Sequence, residues 1–315
     1  MKFHRHCLRL PGLIQRIDFM YAIIDIGSNT IRMCIYECDG KTFVIVDGHK
    51  TVASLASHIK DYVMTEEGMK IAAKTVKKYV AEAKSHEDIK IFAFATASLR
   101  NIKNSKEAVE YIENASGIKI DLLSGEAEAL CSFAGATYGR ERDSGAVIDI
   151  GGGSMETVCF KKGTASYAAS FPEGALSLYT KYVKGMFPTK DECKNIYSRL
   201  EEMIGSEKAK EMKASVLYAV GGTVRAVSKL EEKIFGIKEK GTISIENIKK
   251  LKEYLLEDEK RAAEVINSVV PERLNTVVPG LLMFDFAVEK IGCKKVYISK
   301  LGVREGYLLK KASGK

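Results

Sequence analysis

Two stretches of the chain, YAIIDIGSNTIRMCIY at 21–36 and GAVIDIGGGSMETVCF at 145–160, align without gaps at an offset of 124. Each is an apolar run that ends in an aspartate, Asp25 or Asp149, followed by a turn of small residues and a second apolar run. This order is typical of a strand, a tight turn and a second strand. Because one copy opens each half of the chain, the repeat predicts a duplicated domain.

The segments around the repeat alternate between strand-like and helix-like patterns. In the first half we predict strands at about 21–26, 31–37, 43–47, 89–95 and 118–122, and helices at 66–84, 105–115 and 125–138. In the second half we predict strands at about 146–150, 156–160, 166–170, 216–220 and 294–299, and helices at 174–184, 190–204, 223–233, 245–256, 259–268, 275–290 and 304–311. This alternation implies an α/β fold with mixed sheets flanked by helices.

The repeat also predicts the domain organisation. We expect a first domain at 20–143 and a second at 144–303, hinged in the polar stretch 139–145, with an interdomain cleft. The terminal segment 304–315 is expected to return to the first domain. Residues 1–19 are basic and mildly apolar, but the apolar stretch is interrupted and no small-residue cleavage site follows. We therefore expect a non-core extension and not a signal peptide.

Composition limits the classes of protein to which the chain can belong. Its 315 residues suit two domains, and 46% hydrophobic with 29% charged residues suits a globular protein. No run of about 18 apolar residues is present, so we expect no membrane contact. The net charge of +8 attracts polyanions, but the lysines are spread along the chain, so a specific nucleic-acid partner is not expected.

The seven cysteines are odd in number and none forms a CxxC pair. A disulfide framework or structural zinc site is therefore not expected, and a cytoplasmic location fits better. Cys34 and Cys38 could be read as a ligand pair, but ordinary small apolar residues in and after a strand are the favoured interpretation. His4, His6 and Cys7 could bind a metal, although a disordered tail is favoured.

The two repeated turns carry groups suited to phosphate. Consecutive glycines let backbone N–H groups approach an anion closely, and hydroxyl and amide side chains add donors. The expected phosphate contacts are Gly27, Ser28, Asn29, Thr30, Gly151, Gly152, Gly153 and Ser154. Asp25 and Asp149 would hold a magnesium ion or its waters, with manganese as a substitute for magnesium. The alternative is a pair of β-hairpins with Gly-rich turns, but the matched aspartates favour a phosphate clamp.

A third glycine turn, AVGGTVR at 219–225, lies between a predicted strand and a predicted helix. A helix N-terminus there would offer free N–H groups and the positive end of the helix dipole to an anion. Gly221, Gly222 and Thr223 are therefore further candidate phosphate contacts. The chain lacks GxGxxG and GxxxxGK[ST], so neither a dinucleotide-binding fingerprint nor a P-loop is predicted.

The three turns resemble those of the actin, sugar kinase and Hsp70 superfamily of actin-like ATPases. Three further segments, FATASLR at 94–100, LSGEAEA at 123–129 and IDIGGGSME at 148–156, narrow the resemblance. Together they resemble the exopolyphosphatase and guanosine pentaphosphate phosphatase family (Ppx/GppA), over about residues 20–307. This resemblance implies duplicated ribonuclease H-like domains and magnesium-dependent hydrolysis of a terminal phosphoanhydride bond.

The resemblance also implies catalytic residues. Glu128 matches the family's catalytic glutamate, which would take a proton from the attacking water; burial can raise the pKa of such a carboxylate towards the working pH. The chain departs from the family pattern at Ala127, where a second glutamate is usual, and Glu126 remains a weaker rival. Arg100 matches the family's arginine near the reacting phosphate, where it would offset charge.

The remaining residues implied by the resemblance belong to the two phosphate motifs. Arg32 matches the first motif, and Glu156 matches the second. For the metal, we expect Asp149 and Glu156 as the main ligands, with Asp25 assisting. All five histidines precede residue 90, so the His-Asp pairs of a C-terminal HD-type domain are missing. We therefore expect the short, two-domain form of the family.

The expected function is exopolyphosphatase activity on inorganic polyphosphate, with release of orthophosphate. The alternative in the same family is hydrolysis of guanosine pentaphosphate (pppGpp). An ATP-dependent small-molecule kinase would share the three turns, but the segments containing Glu128 and Glu156 argue against it. The presence of all the site carboxylates also argues against a non-catalytic nucleotide sensor. The expected partner is a polyphosphorylated substrate, and we include a homodimer among the expected assemblies.

Overall fold

The computed structural model describes residues 19–140, 143–236 and 241–314. Contacts between Cα atoms separate two compact units. The first contains the chain up to Ser124 together with residues from Tyr307 onward, and the second is Gly125–Gly306. The extension predicted for 1–19 lies outside the described residues except for Phe19, which opens the first strand. The candidate ligands His4, His6 and Cys7 also lie outside them.

The first unit is built on a five-stranded mixed sheet. Its elements are β1 (Phe19–Ile26), β2 (Thr30–Cys38), β3 (Phe43–Val52), β4 (Ile59–Lys60), β5 (Val63–Met64), α1 (Glu66–Ala83), β6 (Ile89–Ala95), α2 (Ala97–Arg100), α3 (Ser105–Ser116) and β7 (Ile120–Leu122). The sheet order is β3-β2-β1-β6-β7, with β1, β2 and β3 antiparallel and β1, β6 and β7 parallel. β4 and β5 form a separate two-stranded ribbon.

Local sequence accounts for the ends of the helices in this unit. α1 begins after Thr65, whose side chain accepts a hydrogen bond from the N–H of Gly68 at 3.2 Å. α3 ends at Gly117, which has a left-handed φ of 75° that glycine adopts without strain. β3 runs to Val52 and not to 47 as predicted, because the polar stretch after Val46 still pairs with β2 at the sheet edge. The short α2 was not predicted.

The second unit repeats this architecture. Its elements are α4 (Gly125–Ala136), β8 (Ser144–Ile150), β9 (Met155–Lys161), β10 (Thr164–Phe171), α5 (Ala175–Tyr182), α6 (Lys190–Glu211), β11 (Val216–Val220), α7 (Gly222–Phe235), β12 (Thr242–Ile243), α8 (Ile245–Glu257), α9 (Glu259–Val269), α10 (Val277–Ile291), β13 (Lys295–Ile298) and α11 (Val303–Ala312). The sheet order β10-β9-β8-β11-β13-β12 again joins an antiparallel three-stranded meander to the parallel strands β11 and β13, and the short β12 is added antiparallel at the edge. The predicted fold class, mixed α/β sheets flanked by helices, is confirmed.

Helix α6 shows where the sequence pattern and the structure diverge. The pattern predicts a helix that ends at 204, and the structure continues the helix to Glu211. At Gly205 the backbone has φ 63° and ψ 167°, which is not helical, so two helical pieces meet there at a kink. Glycine tolerates that conformation because it has no side chain to clash.

Helix α4 groups with the second unit, although the boundary predicted from the repeat placed it in the first. It packs against β8, β9 and β10. Ala129, Phe133 and Ala136 enter a buried cluster with Val147 and Phe160 of the second sheet. The boundary between the two units therefore lies before α4, whereas the second copy of the repeated motif begins only after this helix.

Helices α4 and α11 cross with their backbones in direct contact. A Cβ atom added to Gly135 would lie 2.0 Å from the carbonyl oxygen of Gly302. A Cβ atom added to Gly306 would lie 1.9 Å from the carbonyl oxygen of Cys131. Both distances are far below any real contact, so this crossing requires glycine at both positions.

The last turns of α11 are anchored to the strands of the first unit. The ring of Tyr307 packs on Phe94, with centroids 4.7 Å apart, and its hydroxyl donates to Asp121 Oδ2 at 2.7 Å. Lys311 Nζ lies 2.6 Å from the same carboxylate and 5.2 Å from the ring centre of Phe92. Burial alone would raise the pKa of Asp121, but the hydrogen bonds from Lys311 and Tyr307 outweigh it and lower the pKa.

Asp121→Asn is expected to destabilise the protein modestly at pH 7 and less in acid. Because the folded state lowers the pKa of Asp121, its contribution is present above the unfolded value, about 3.9, and is lost as the pH falls through the folded value. The carboxylate is nearly half exposed, so about 0.5–1 kcal/mol is expected. Thermal unfolding at pH 7, 5 and 2.5 measures the effect, because the contribution is lost only below the unfolded value. A destabilisation that is the same at every pH would contradict this account.

Two further expectations concern the whole of the described chain. In the residues covered by the structure, no helix is long and apolar enough to cross a membrane. The six described cysteines, including Cys34 and Cys38, are buried, and none of these six is joined in a disulfide.

Candidate active site

The glycine turn of the second unit follows directly from its strand pairing. Asp149 is the penultimate residue of β8 and pairs across the hairpin with Glu156 of β9. The N–H of Gly151 donates to the carbonyl of Ser154 at 3.0 Å and closes the turn. The predicted phosphate contacts Gly151, Gly152, Gly153 and Ser154 are therefore presented together between two strands whose register is fixed.

The carbonyl groups of this turn are bound by the first turn of α5. The N–H of Ala175 donates to the carbonyl of Gly151 at 3.0 Å, and the N–H groups of Leu176 and Ser177 donate to that of Gly152 at 2.9 and 3.0 Å. A peptide unit carries its C=O and N–H on opposite sides, and no cis peptide is present in the described residues. The N–H groups of Gly152 and Gly153 therefore face away from α5, where an anion can reach them.

Three carboxylates, those of Glu128, Asp149 and Glu156, interact beside this turn. Glu156 is 2% exposed and accepts a hydrogen bond from Ser170 Oγ at 2.7 Å. Burial raises the pKa of Glu156 well above its usual value, and the nearby charges of Glu128 and Asp149 raise it further. The mutual repulsion shows that the three groups share one electrostatic environment.

Helix α4 carries Glu128 towards the strands. Glu128 is 8% exposed and lies in the first turn of the helix, where the dipole favours a carboxylate. Ser132, one helical turn later on the same face, donates its hydroxyl to Asp149 Oδ2 at 2.7 Å. Its rival Glu126 is exposed. Burial therefore distinguishes the two glutamates, whereas the sequence alone left both as candidates for the general base.

The oxygen donors of this region fit magnesium, or manganese in its place. In the part of the chain that the structure describes, no group of three or more His, Cys, Asp or Glu side chains is arranged to hold a metal. Magnesium in phosphate-processing sites usually takes one or two carboxylates and completes its shell with substrate oxygens and water. The cross-strand pair Asp149 and Glu156 meets that requirement, and a cation would relieve the repulsion that raises the pKa of Glu156.

The third glycine turn lies next to Asp149. Gly221 has a left-handed φ of 103°, and a Cβ atom there would lie 2.6 Å from the carbonyl oxygen of Ile150 and 2.9 Å from Asp149 Oδ1. α7 starts at Gly222, and the following Thr223 is buried. The predicted contacts Gly221, Gly222 and Thr223 therefore place a helix N-terminus beside the carboxylate cluster.

Arg273 belongs to this region and was not predicted. It lies in a short 3-10 helix, Pro271–Arg273, and its Nη2 would be 1.9 Å from a Cβ atom added to Gly222. The guanidinium thus covers the glycine that opens α7. No local motif marks Arg273, because only the fold brings the two positions together.

The first unit contains the corresponding turn of the repeat. Asp25 and Arg32 face each other across the β1–β2 hairpin, and the N–H of Gly27 donates to the carbonyl of Thr30 at 3.2 Å. The carbonyl of Asn29 accepts from the N–H groups of Ala53 and Ser54 at 3.0 and 2.9 Å, and that of Ser28 accepts from the N–H of Ala56 at 2.9 Å. Both turns thus have carbonyls that are already hydrogen-bonded.

Arg100 and Asp25, the other first-unit candidates, lie at the ends of their elements. Arg100 ends α2 and donates from Nη1 to the carbonyl of Leu123 at 2.9 Å. Asp25 lies near the end of β1 and is partly buried. The roles predicted for these side chains and for Arg32 remain predictions.

Comparison with known proteins identifies a family. A model of the Ppx/GppA phosphatase family matches residues 34–314. Exopolyphosphatase 1 of Mycobacterium tuberculosis is 22% identical over 305 residues, which cover 92% of this chain and 87% of that protein.

Solved structures agree on the fold. An exopolyphosphatase from Cytophaga hutchinsonii matches with a TM-score of 0.84 at 20% identity, covering 94% of this chain and 98% of that one. The Ppx/GppA family member from Aquifex aeolicus matches with a TM-score of 0.76 at 22% identity, covering 93% and 97%.

Proposed function

Because the chain belongs to the Ppx/GppA phosphatase family, we propose that it is an exopolyphosphatase that hydrolyses terminal phosphoanhydride bonds of inorganic polyphosphate and releases orthophosphate. The observation that carries the proposal is the buried Glu128 beside Asp149, Glu156 and a glycine turn whose carbonyls are already bonded. The exopolyphosphatase named among the relatives supports the choice of substrate.

In the proposed mechanism, Glu128 takes a proton from the water that attacks the terminal phosphorus atom. The N–H groups of the glycine turns bind the phosphate oxygens, and Arg100 offsets the charge that develops on them. Asp149 and Glu156 would hold magnesium, with Asp25 assisting, and the ion would supply charge neutralisation of the anhydride. The low exposure of Glu128 favours its role because a buried carboxylate is a stronger base than an exposed one.

The test is phosphate release from long-chain polyphosphate and from guanosine pentaphosphate, run side by side with and without magnesium. We expect magnesium-dependent release from polyphosphate at the higher rate. Turnover of guanosine pentaphosphate far above that of polyphosphate would show that the nucleotide, and not polyphosphate, is the preferred substrate. Release from neither substrate would refute the proposal, and full activity in excess chelator would refute the metal requirement.

Salt provides a second test of the substrate class. The chain carries 49 basic and 41 acidic residues, so a long polyanion engages many lysines and releases many counterions. We expect the affinity for long-chain polyphosphate to fall steeply as salt rises, and that for guanosine pentaphosphate to fall less steeply. Titrations at several salt concentrations measure the two slopes. Equal slopes would contradict multivalent binding of polyphosphate.

A further inference from the structure

The loop between β10 and α5 contains a buried carboxylate that the mechanism above does not use. Glu173 is 1% exposed and directly precedes Gly174, the N-cap of α5. Its oxygens accept hydrogen bonds from Lys181 Nζ at 2.9 and 3.1 Å and from Arg199 Nε at 3.1 Å. A buried charge is tolerated only when it is paired and fully hydrogen-bonded, and Glu173 meets both conditions.

Ser177 connects this carboxylate to the backbone of the loop. Its hydroxyl donates to Glu173 Oε2 at 2.7 Å and accepts from the N–H of Gly174 at 2.8 Å. Lys181 lies one turn further along α5, and Arg199 comes from α6. Glu173 therefore fixes the first turn of α5 to a second helix.

That first turn is the part of α5 that binds the phosphate turn. The N–H groups of Ala175, Leu176 and Ser177 hold the carbonyls of Gly151 and Gly152. The contact is close, since a Cβ atom added to Gly174 would lie 2.6 Å from the carbonyl carbon of Gly152. A shift of α5 would therefore rotate the peptide units whose N–H groups face the anion.

We propose that Glu173 is a positioning residue for phosphate binding, acting through Ser177 and the first turn of α5 to aim the N–H groups of Gly152 and Gly153. The inference rests on the proposed function and extends it to a residue that does not touch the substrate. Lys181 and Arg199 keep the carboxylate of Glu173 in place. The orientation of the N–H groups of the phosphate turn therefore depends on a network of charged side chains outside the reacting centre.

Ser177→Ala is the sharpest variant because it removes the link and leaves no buried charge unpaired. We expect kcat/KM for polyphosphate to fall about 10- to 100-fold, as a small misplacement of binding groups does. Ser177→Thr keeps the hydroxyl and is expected to restore most of the activity. Glu202→Gln is the matched control: it removes an exposed carboxylate from the same Arg199, bound at 3.0 Å, and is expected to leave activity unchanged.

A measurement without turnover separates this inference from the proposed function. Protein labelled with ¹⁵N-glycine is titrated with orthophosphate, and the amide resonances of Gly152 and Gly153 are followed. In Ser177→Ala and Glu173→Gln we expect these resonances to be displaced before phosphate is added, and the titration midpoint to rise about tenfold. The resonance of Gly117, which ends α3 in the first unit, is expected to stay unchanged.

The outcomes are distinct. If both variants keep the wild-type Gly152 and Gly153 resonances and midpoint, the positioning role is overturned even where polyphosphate is hydrolysed. If those resonances shift while the wild-type protein releases no phosphate from polyphosphate, the positioning role stands and the proposed function fails. Loss of activity with an unchanged midpoint and unchanged resonances would also overturn the inference.

Discussion

Glu128→Gln is expected to slow phosphate release from polyphosphate by about 10²–10⁴-fold, the usual effect of removing a general base, while polyphosphate still binds. Glutamine keeps the shape and an acceptor oxygen but cannot take a proton from water. Binding is expected to persist because the phosphates would be held by the glycine turns at 27–30, 151–154 and 221–223 and by Arg100. Single-turnover release and equilibrium binding of polyphosphate measure the two effects separately.

The matched control is Glu126→Gln, two residues earlier in the same helical turn. Glu126 is exposed, whereas Glu128 is buried beside Asp149 and Glu156. The control removes the same charge from the same helix terminus, so it reports any effect of the helix dipole alone. We expect a change of less than about threefold, in line with the small energies of exposed charges at a helix end. Release by Glu128→Gln at the wild-type rate would defeat the assignment of the base.

Gly306→Ala is expected to give the largest loss of stability among single methyl additions in α11. In an exposed helix the change would stabilise by about 0.5–1 kcal/mol. Here the new methyl group would lie 1.9 Å from the carbonyl oxygen of Cys131, a backbone atom that cannot rotate away. Overpacking of this kind costs about 1–3 kcal/mol or more. The clash therefore outweighs the helix propensity, and we expect the midpoint of thermal unfolding to fall by about 5–10 °C.

Gly185→Ala provides the comparison, because its added methyl group would meet only the carbonyl of Phe187 at 3.7 Å. Gly306→Ala should also reduce activity, since Cys131 lies on α4 one turn after Glu128. Differential scanning calorimetry and phosphate release measure both effects. Equal unfolding midpoints for the two variants would show that the crossing of α4 and α11 adjusts without cost.

The repeated hairpins and the alternating strands and helices are the parts of the fold that could be predicted from the sequence. The gapless match of the segments at 21–36 and 145–160 located both hairpins, and the alternating patterns located nearly all long helices. The sequence pattern did not predict the features of the fold that depend on tertiary contacts. β3 continues past its apolar residues because an edge strand needs only backbone pairing. The grouping of α4 depends on its packing against β8, β9 and β10, which no local pattern encodes.

The same distinction separates the candidate site residues. Asp149 and Gly151 belong to the repeated turn motif, whose local spacing was enough to propose them, and Glu128 was proposed from the resemblance of its segment to the family. Arg273 and Glu173 belong to no such motif: Arg273 reaches Gly222 only through the fold, and Glu173 is explained only by the helices that supply its partners. A buried charge inside an unremarkable loop has no signature until its neighbours are known.

The composition of the first unit from two separate parts of the chain has a consequence for protein synthesis. Tyr307, which packs on Phe94 and bonds to Asp121, follows the entire second unit in the sequence. Domains generally fold as units during translation, starting from the N-terminus. The second unit is contiguous and can fold as soon as it emerges from the ribosome. Most of the first unit precedes the second in the nascent chain, but the first unit is completed only when its last turns of helix have been translated.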